Sequence, residues 1–368
     1  MENSRSDTAH FVVRERYLNA IEAFIDRPVV KVLKGMRRVG KSVIMRLLIE
    51  RLINRGIPGA NILYINKESL EFDAVKDYRD LYRYAGEYFK EGVATAPATV
   101  PAPATAPAPA PGSAPAPKYI LIDEIQEIEG WERAVASFLA DGLGDVVISG
   151  SNASLLSSEL ATLISGRYVE IPVYPLTFCE FITFREKKKA HGDGENKAAE
   201  TDTAAETDTA TDTETSFKNY LRYGGLPGIH QLPFNDEVLF SYLNSILNTV
   251  LYKDVITRHK IRDASIFDKL VRYLFDNVGN ITTAKKIADY FKSQRIKTSV
   301  DTILNYISYI EASLLIDRTP RYDIKGKRLL EFSDKVFLND IGLRHGLIGY
   351  RERDINGLLE NIVFKELQ

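Results

Sequence analysis

The stretch that decides the fold is Gly35-Met-Arg-Arg-Val-Gly40-Lys41-Ser42, which has the spacing G-x-x-x-x-G-K-S. An apolar run precedes it, Val29–Leu33, and predicts a buried strand interrupted only by Lys31. The run that follows, Val43–Asn54, has the pattern of a helix. Strand, glycine-rich loop and helix in this order are the context that makes the motif a phosphate-binding loop. The alternative is a glycine-rich turn that precedes a helix by chance.

The loop residues predict how a phosphate would be held. The two glycines allow successive N–H groups to point at one anion, and the helix adds the positive end of its dipole. Lys41 is expected to reach the β- and γ-phosphates, and Ser42 to ligate magnesium. ATP and Mg²⁺ are therefore the expected cofactors. The expected nucleotide-binding residues are Gly35, Arg38, Val39, Gly40, Lys41, Ser42 and Val43, and neither Arg37 nor Arg38 is given a catalytic role.

A second apolar strand ends in two adjacent carboxylates, in the run Tyr119-Ile-Leu-Ile-Asp123-Glu124. Strand alternation is expected to point the two side chains in different directions. Asp123 is then expected to hold the magnesium ion, and Glu124 to orient or deprotonate a water molecule. The alternative is that both carboxylates only cap the next helix. Beside a phosphate-binding loop, the pair favours hydrolysis of the nucleotide.

A third strand, Val146–Ser149, ends in Gly-Ser151-Asn152. The carboxyl edge of a parallel sheet faces the ligand crevice, so Asn152 or Ser151 is a candidate hydrogen-bond donor to the γ-phosphate or to the attacking water. The alternative is an N-cap for a helix near Leu155.

One arginine and one tyrosine are weaker candidates for the nucleotide site. Arg167 follows a glycine at the start of the next strand, where it is a candidate arginine finger, in the same subunit or in a neighbour; a structural ion pair fits equally well. Tyr17, in the predicted helix Arg14–Ile25, can stack on adenine, although core packing is the favoured interpretation. The expected catalytic residues are thus Glu124, Asn152 and Arg167.

The first half of the chain alternates strands with helices, which predicts an α/β fold: a P-loop NTPase parallel sheet with helices on both faces. The further predicted strands are Asn61–Asn66, Lys118–Asp123, Asp145–Ser149 and Tyr168–Val173, and the further helices are Leu81–Phe89 and Trp131–Leu139.

From Asn235 onward the pattern is mostly helical, which predicts an all-helical or winged-helix domain after the sheet. The order of a winged helix is given by three helices and two strands. They are Ala264–Asp276, Thr283–Ser293, Ser299–Ala312, Leu314–Asp317 and Leu329–Phe332.

A basic hairpin at 318–328 is a candidate DNA contact, because clustered cations can bind phosphates or the minor groove. Against this, the presumed recognition helix Ser299–Ala312 contains no Lys or Arg, so a packing role or a protein contact is the favoured alternative. The basic residues are Arg318, Arg321, Lys325, Lys327 and Arg328.

Composition sets wider bounds. The chain has 368 residues, a net charge of −2 and one cysteine, Cys179, which excludes an internal disulfide framework. No leader pattern and no apolar run long enough for a membrane span is visible, so a cytoplasmic protein without membrane contact is expected. An Ala/Pro-rich insertion at 94–117 and an acidic Thr-rich insertion at 187–216 are expected to be disordered.

These observations give an expected domain organisation. A P-loop ATPase core should span 1–186, with a helical lid or linker over 217–262, a winged helix over 263–340 and the start of a further domain over 341–368.

Five segments, taken together and in order, resemble the AAA-type ATPases that carry a C-terminal domain of unknown function. They are GMRRVGKS (35–42), YILIDEIQEIEGWE (119–132), ISGSNASLL (148–156), ISGRYVEIPVYPLTFCEF (164–181) and YLRYGGLPG (220–228). The resemblance implies an additional strand between the P-loop strand and the Asp-Glu strand, and a winged helix after the core. It also implies metal-binding and catalytic roles for Asp123 and Glu124, a sensor role for Asn152 and a Gly-Arg motif at Arg167.

The sequence departs from that family at its end. Such proteins usually continue past the helix around Leu359–Phe364 into a small nuclease-like α/β region, and the chain stops at Gln368. A truncated form without nuclease activity is therefore expected, in which Gly357–Gln368 would lack packing partners.

Two function classes follow. One is a magnesium-dependent ATPase that couples hydrolysis to conformational change on a DNA or protein partner, with a homo-oligomer as a candidate assembly. The other is a nucleotide-sensing binding module with little turnover. Glu124 favours the first, because a sensor does not need a carboxylate that activates water.

Overall fold

The computed structural model describes residues 11–91, 117–151, 162–164, 166–192, 205–320 and 334–368. The chain forms two compact units. One consists of Met1–Gly35 with Gly40–Val173, and the other of Met36–Val39 with Tyr174–Gln368. Four residues of the glycine-rich loop are thus grouped with the second unit.

The first unit is built from alternating strands and helices, as the sequence predicts. The order is α1 (Glu15–Glu22), β1 (Val30–Lys34), α2 (Lys41–Asn54), β2 (Ile62–Asn66), α3 (Tyr78–Glu91), β3 (Tyr119–Asp123), α4 (Trp131–Ala140), β4 (Asp145–Gly150) and β5 (Tyr168–Pro172).

The five strands form one parallel sheet in the order β2-β3-β4-β1-β5. Strand β4 therefore lies between the P-loop strand β1 and the Asp-Glu strand β3, which confirms the additional-strand arrangement. The register aligns Ile148 with Val32 on one side and with Ile122 on the other. As a result, the loop after β1 and the carboxylates after β3 emerge at the same edge of the sheet.

Apolar side chains on both faces of every central strand explain why helices cover both sides. On one face, alternate residues such as Val32, Ile122 and Ile148 pack with the helices α3 and α4, including Trp131 and Phe138. On the other face α2 packs against β3 and β4. Burial of each such aliphatic side chain stabilises the fold by about 1.5–3 kcal/mol.

The second unit is mostly helical and carries a small sheet. Its elements are α5 (Phe178–Gly192), α6 (Ala205–Tyr223), α7 (Asp236–Thr249), a π-helix (Val250–Thr257), α8 (Ala264–Asp276), β6 (Ile281–Thr282), α9 (Ala284–Ser293), α10 (Val300–Ala312), β7 (Ile316–Pro320), β8 (Asp334–Leu338), α11 (Ile341–Ile348) and α12 (Ile355–Glu366). The three strands pair antiparallel in the order β6-β8-β7.

The expectation of disorder over 187–216 is wrong at both ends of that segment. Helix α5 continues to Gly192, across the expected core boundary at 186, and α6 begins at Ala205. Aromatic side chains of the two helices contact each other, as in the pair Phe178 and Phe217, whose ring centroids are 5.2 Å apart. Once one helical turn is held by such packing, adding each further residue to the helix costs little free energy. Composition indicates how much apolar surface a segment can bury and gives no sign of this propagation.

Two other expectations fall outside the described residues. They are the Ala/Pro-rich insertion at 94–117, of which only Pro117 is described, and the strand Leu329–Phe332.

Helix α12 has packing partners on one face, contrary to expectation. The Asn361 side chain makes two hydrogen bonds with the backbone of Leu338, at 2.6 and 3.0 Å, and the Phe364 ring stacks on Phe337 at 4.1 Å. On the other face Val363 and Leu367 are 57% and 83% exposed. The sequence could not show which strand would cover the first face.

Across the described ranges, no helix is both long enough and apolar enough to span a membrane.

Candidate nucleotide-binding site

The glycine-rich loop connects β1 to α2 through two left-handed backbone positions. Arg38 has φ +67° and Gly40 has φ +99°. Left-handed residues within a turn aim successive N–H groups at a common point, which is the geometry of an anion-binding nest. At Gly40 this conformation costs little, whereas at Arg38 it is strained and must be held by its surroundings.

Lys41, the first residue of α2, lies inside the loop rather than in solvent. Its side chain is 4% exposed, and its Nζ donates a hydrogen bond to the Gly35 carbonyl at 2.8 Å. The same nitrogen lies 3.7 Å from Oε1 of Glu124. The loop lysine is therefore matched by the carboxylate that directly follows β3. Ser42 and Val43 follow on the first turn of α2, both half-buried.

Asp123 is the last residue of β3, and its carboxylate is held by hydroxyls from both neighbouring strands. Ser149 of β4 donates to Oδ1, and Tyr64 of β2 donates to Oδ2 at 3.3 Å. Asp123 is only 1% exposed. Burial, followed by the charge of Asp123, raises the pKa of Tyr64, against the lowering effect of Arg46. Tyr64 therefore keeps its proton and remains a donor to the carboxylate.

Glu124 lies beyond the end of β3, in a left-handed conformation with φ +54°. Its N–H donates to Oγ of Ser149 at 3.3 Å, and its carboxylate accepts from the Gln126 amide and faces Lys41. The two carboxylates have different partners, as expected, but the cause is this turn and not strand alternation. Backbone strain of this kind concentrates at functional sites.

Ser151 continues β4 at the same edge of the sheet. Its hydroxyl is buried, and it has no hydrogen-bond partner within the described residues. A buried hydroxyl without a partner is a free donor for a ligand. Asn152, the expected sensor, and the helix expected near Leu155 lie outside the described residues, so their roles stay predictions.

Arg167 lies at the opposite edge of the sheet, and this corrects the expectation of an arginine finger acting within one chain. Strand β5 runs parallel to β1 with Tyr168 beside Val30 and Pro172 beside Lys34. The five residues of β1 span about 16 Å, which is farther than the Arg167 side chain reaches. A role toward a neighbouring subunit stays a prediction.

Tyr17 is packed and not presented to a ligand. Its side chain is 2% exposed, and the Arg14 guanidinium lies 4.4 Å from the ring centroid. This geometry agrees with core packing and leaves no ring face for adenine.

The donors at the carboxyl edge suit magnesium, which prefers hard oxygen ligands. Ser42 and Asp123 supply a hydroxyl and a carboxylate there. No cluster of three or more His, Cys, Asp or Glu side chains that could hold a metal occurs in the described part of the chain. Magnesium would thus take its remaining ligands from water and phosphate, as is usual for this ion.

Sequence reasoning missed two residues that hold Asp123, namely Ser149 and Tyr64, and it missed the partner of the loop residue Arg37. Each needs knowledge of which strands or segments are neighbours. A signal existed for Ser149, since it is a small polar residue at the end of an otherwise apolar strand. For Arg37 the partner is Asp254, more than 200 residues away in sequence, and no local pattern indicates it.

Comparison with known families and proteins agrees with this geometry. Residues 27–182 match the family described as AAA domain, and residues 214–354 match a domain of unknown function (DUF8612). An uncharacterized protein of Haemophilus influenzae is 34% identical over 356 residues, which is 97% of this chain and 78% of that protein. An uncharacterized protein of Methanocaldococcus jannaschii is 28% identical over 251 residues, 68% of this chain and 53% of that protein.

Solved structures of similar chains include the Aeropyrum pernix Orc1 protein in complex with DNA, at 14% identity and a TM-score of 0.37, covering 99% of this chain and 96% of that one. Thermotoga maritima RuvB matches at 15% identity and a TM-score of 0.37, over 90% and 95% of the two chains. Likeness at this level supports no functional argument. The family matches and the Haemophilus relative show that the chain belongs to the AAA-domain family, with a domain of unknown function after its AAA domain.

Proposed function

We propose that the chain is an ATPase that binds ATP with Mg²⁺ at the loop 35–42 and hydrolyses it with Glu124 as the residue that activates water. The observation that carries the proposal is the convergence of Lys41, Asp123 and Glu124 at one edge of the sheet. Lys41 and Glu124 are 3.7 Å apart, and Asp123 is fixed by Ser149 and Tyr64. A compact cation, a carboxylate for the metal and a second carboxylate are the parts that phosphoryl transfer to water needs.

In this proposal the residues act in a fixed sequence. A bound triphosphate takes over the Lys41 ammonium, and Glu124 is thereby released to accept a proton from the attacking water. Ser42 and Asp123 would hold magnesium, which, when bound, neutralises charge on the β- and γ-phosphate oxygens. Ser151 is placed to donate its free hydroxyl at the same edge.

The test is steady-state ATP hydrolysis with Mg²⁺ by the wild type and Glu124→Gln, with binding of a fluorescent ATP analogue measured in parallel. Glu124→Gln keeps the shape of the side chain and removes its basicity, so binding should persist while turnover is lost. If both proteins bind and neither hydrolyses ATP, the ATPase proposal fails.

A second candidate, a nucleotide-sensing module with little turnover, is favoured by one observation. The Glu124 carboxylate is engaged twice, by the Gln126 amide and by Lys41. A carboxylate held in this way is a poor base until both contacts open. If Gln126→Ala increases turnover while leaving affinity unchanged, the Gln126 contact restrains an active base; if wild type and variant are both inactive, the sensing role is the better account.

We propose a winged helix for the region 263–340, because the order α8-β6-α9-α10-β7-β8 with three antiparallel strands fits that motif. The one described cation of the predicted basic hairpin, Arg318, favours a packing role over DNA contact. Arg318 is paired with Glu311 at 2.6 Å and lies 3.5 Å from Asp334, so its charge is already matched. The cations Arg321, Lys325, Lys327 and Arg328 lie outside the described residues.

DNA contact is tested by adding double-stranded DNA to the hydrolysis assay and by fluorescence anisotropy at two salt concentrations. Salt-sensitive binding that is lost in Lys325→Glu/Lys327→Glu would select the DNA-linked reading, because phosphate contacts release counterions. Absence of binding at low salt would leave a protein partner as the candidate.

A further inference from the structure

Arg37, a loop residue to which the motif gives no role, makes a two-pronged ion pair with Asp254. Its Nε lies 2.6 Å from Oδ2 and its Nη2 lies 3.0 Å from Oδ1 of Asp254. The side chains are 12% and 1% exposed. Both residues belong to the same compact unit. A guanidinium that grips both oxygens of a carboxylate is among the strongest and most directional contacts in proteins, so this pair fixes the position of Arg37.

The partner of Arg37 lies in unusual secondary structure. Asp254 is part of the π-helix Val250–Thr257, whose buried residues are otherwise apolar, namely Val250, Leu251 and Val255. π-Helical segments are rare and occur frequently at functional sites. A carboxylate on the buried face of a helix requires a charged or hydrogen-bonding partner, and Arg37 supplies it.

The ion pair holds the strained part of the loop. Arg38, the next residue, has φ +67°, a conformation that persists only where the surroundings determine it. Met36, two residues before Arg38, and Val39, directly after it, are 2% and 0% exposed. The backbone of 36–39 is thus held by two buried side chains and by the ion pair.

We propose that Asp254 is a positioning residue for the nucleotide: through Arg37 it holds the loop backbone in the conformation that receives the phosphates. This inference rests on the proposed function, since it requires the loop to bind a nucleoside triphosphate. Because a preorganised loop loses less freedom on binding, breaking the pair weakens binding without removing any group that contacts phosphate.

A double-mutant cycle tests the proposal in the full chain. The Kd of a fluorescent ATP analogue with Mg²⁺ is measured for the wild type, Asp254→Asn, Arg37→Gln and the double variant. Each single change is expected to raise the Kd about tenfold, and the double variant should be no worse than either single one, because both remove the same contact. Arg37→Lys keeps the charge but cannot bond both carboxylate oxygens with a planar guanidinium. Its Kd should lie between the wild-type value and that of Arg37→Gln.

A matched control separates positioning from general stability. Asp354 accepts from the Arg344 guanidinium at 2.6 Å, and the two side chains are 24% and 2% exposed, so Asp354→Asn breaks another partly buried ion pair of the same unit. This variant should lower the Tm as Asp254→Asn does and leave the Kd unchanged.

The outcomes distinguish failure of the positioning role of Asp254 from failure of the proposed function. If the wild type itself fails to bind the analogue, the proposed function is overturned and this inference with it. If the wild type binds, and Asp254→Asn binds equally well or no worse than Asp354→Asn, only the positioning role is overturned. Additive effects of Arg37→Gln and Asp254→Asn would also overturn it.

Discussion

The two edges of the parallel sheet each contain a lysine paired with a carboxylate, and the pairs differ in kind. At the amino edge, Lys31 of β1 is fully buried and in direct contact with Asp145, the first residue of β4, which is 8% exposed. At the carboxyl edge, Lys41 and Glu124 are 3.7 Å apart and both lie outside the strands. The first pair lies within the sheet, whereas the second joins the first residue of α2 to the turn after β3.

The difference teaches that burial of a charge does not by itself mark a functional site. Burial lowers the pKa of Lys31 and raises that of Asp145, and their mutual attraction opposes both shifts. The network also includes Asp26, whose N–H donates to Asp145 and whose carboxylate accepts from Tyr119. Perturbed groups of this kind are candidates for function only when they also face a ligand crevice. The amino edge does not.

The largest expected effect is at the carboxyl edge. Glu124→Gln should reduce ATP turnover by about a thousandfold, the middle of the range for loss of a general base. Affinity for the ATP analogue should remain within severalfold, since Gln keeps a polar side chain beside Lys41. Single-turnover hydrolysis and analogue titration measure the two quantities. Comparable losses in both would mean that Glu124 binds nucleotide and does not activate water.

The next effect is at the amino edge and concerns stability. Lys31→Met leaves the Asp145 carboxylate buried without its partner and should lower the free energy of unfolding by about 3 kcal/mol. Lys31→Met/Asp145→Leu, which removes both charges, should recover most of that loss. Urea unfolding measures both variants. At temperatures where Lys31→Met is folded its nucleotide affinity should be that of the wild type; a parallel loss of affinity would break the distinction between the edges.

A smaller effect is expected for the second lysine. Lys41→Gln should weaken analogue binding by about 2 kcal/mol, which is about thirtyfold, because one charge-assisted contact to phosphate is lost. Isothermal titration at low salt measures it. Affinity equal to that of the wild type would show that Lys41 serves only to neutralise Glu124.

The smallest expected effect tests the position of Arg167 in the sheet. Arg167→Ala should change analogue affinity by no more than about twofold, as for an ordinary surface substitution, because Arg167 lies at the amino edge. The same variant should be assayed for turnover across a range of protein concentrations. If turnover rises with protein concentration in the wild type and not in Arg167→Ala, Arg167 acts at the nucleotide site of a neighbouring subunit.

Much of the first unit could be predicted from sequence because its signals are local. The loop 35–42 lies between strand and helix as its motif requires, and apolar runs ending in Asp123 or Ser149 identify strand ends directly. The remainder needed information that is not local. The register of β5 decides where Arg167 lies, the left-handed turn decides where Glu124 points, and the pairing of Arg37 with Asp254 joins residues 217 positions apart.

The second unit shows the limits of composition. The Thr- and Glu-rich beginning of α6 has little apolar surface, and composition therefore predicts disorder. In the structure it is continuous with a segment anchored by Phe217 and Tyr220 against α5. A helix boundary depends on the neighbouring packed turn as well as on the residues themselves.

The contact between Lys41 and Glu124 has a consequence for anion choice under the proposed function. Glu124 acts as an internal competitor: an incoming ligand must offer Lys41 more than the carboxylate at 3.7 Å already does. A single inorganic phosphate could form few hydrogen bonds in place of the Lys41–Glu124 contact. A chain of linked phosphates could bind the loop N–H groups and Lys41 at the same time. If the loop binds nucleotide as proposed, the site would therefore select ligands by the number of connected phosphates, independently of base or sugar.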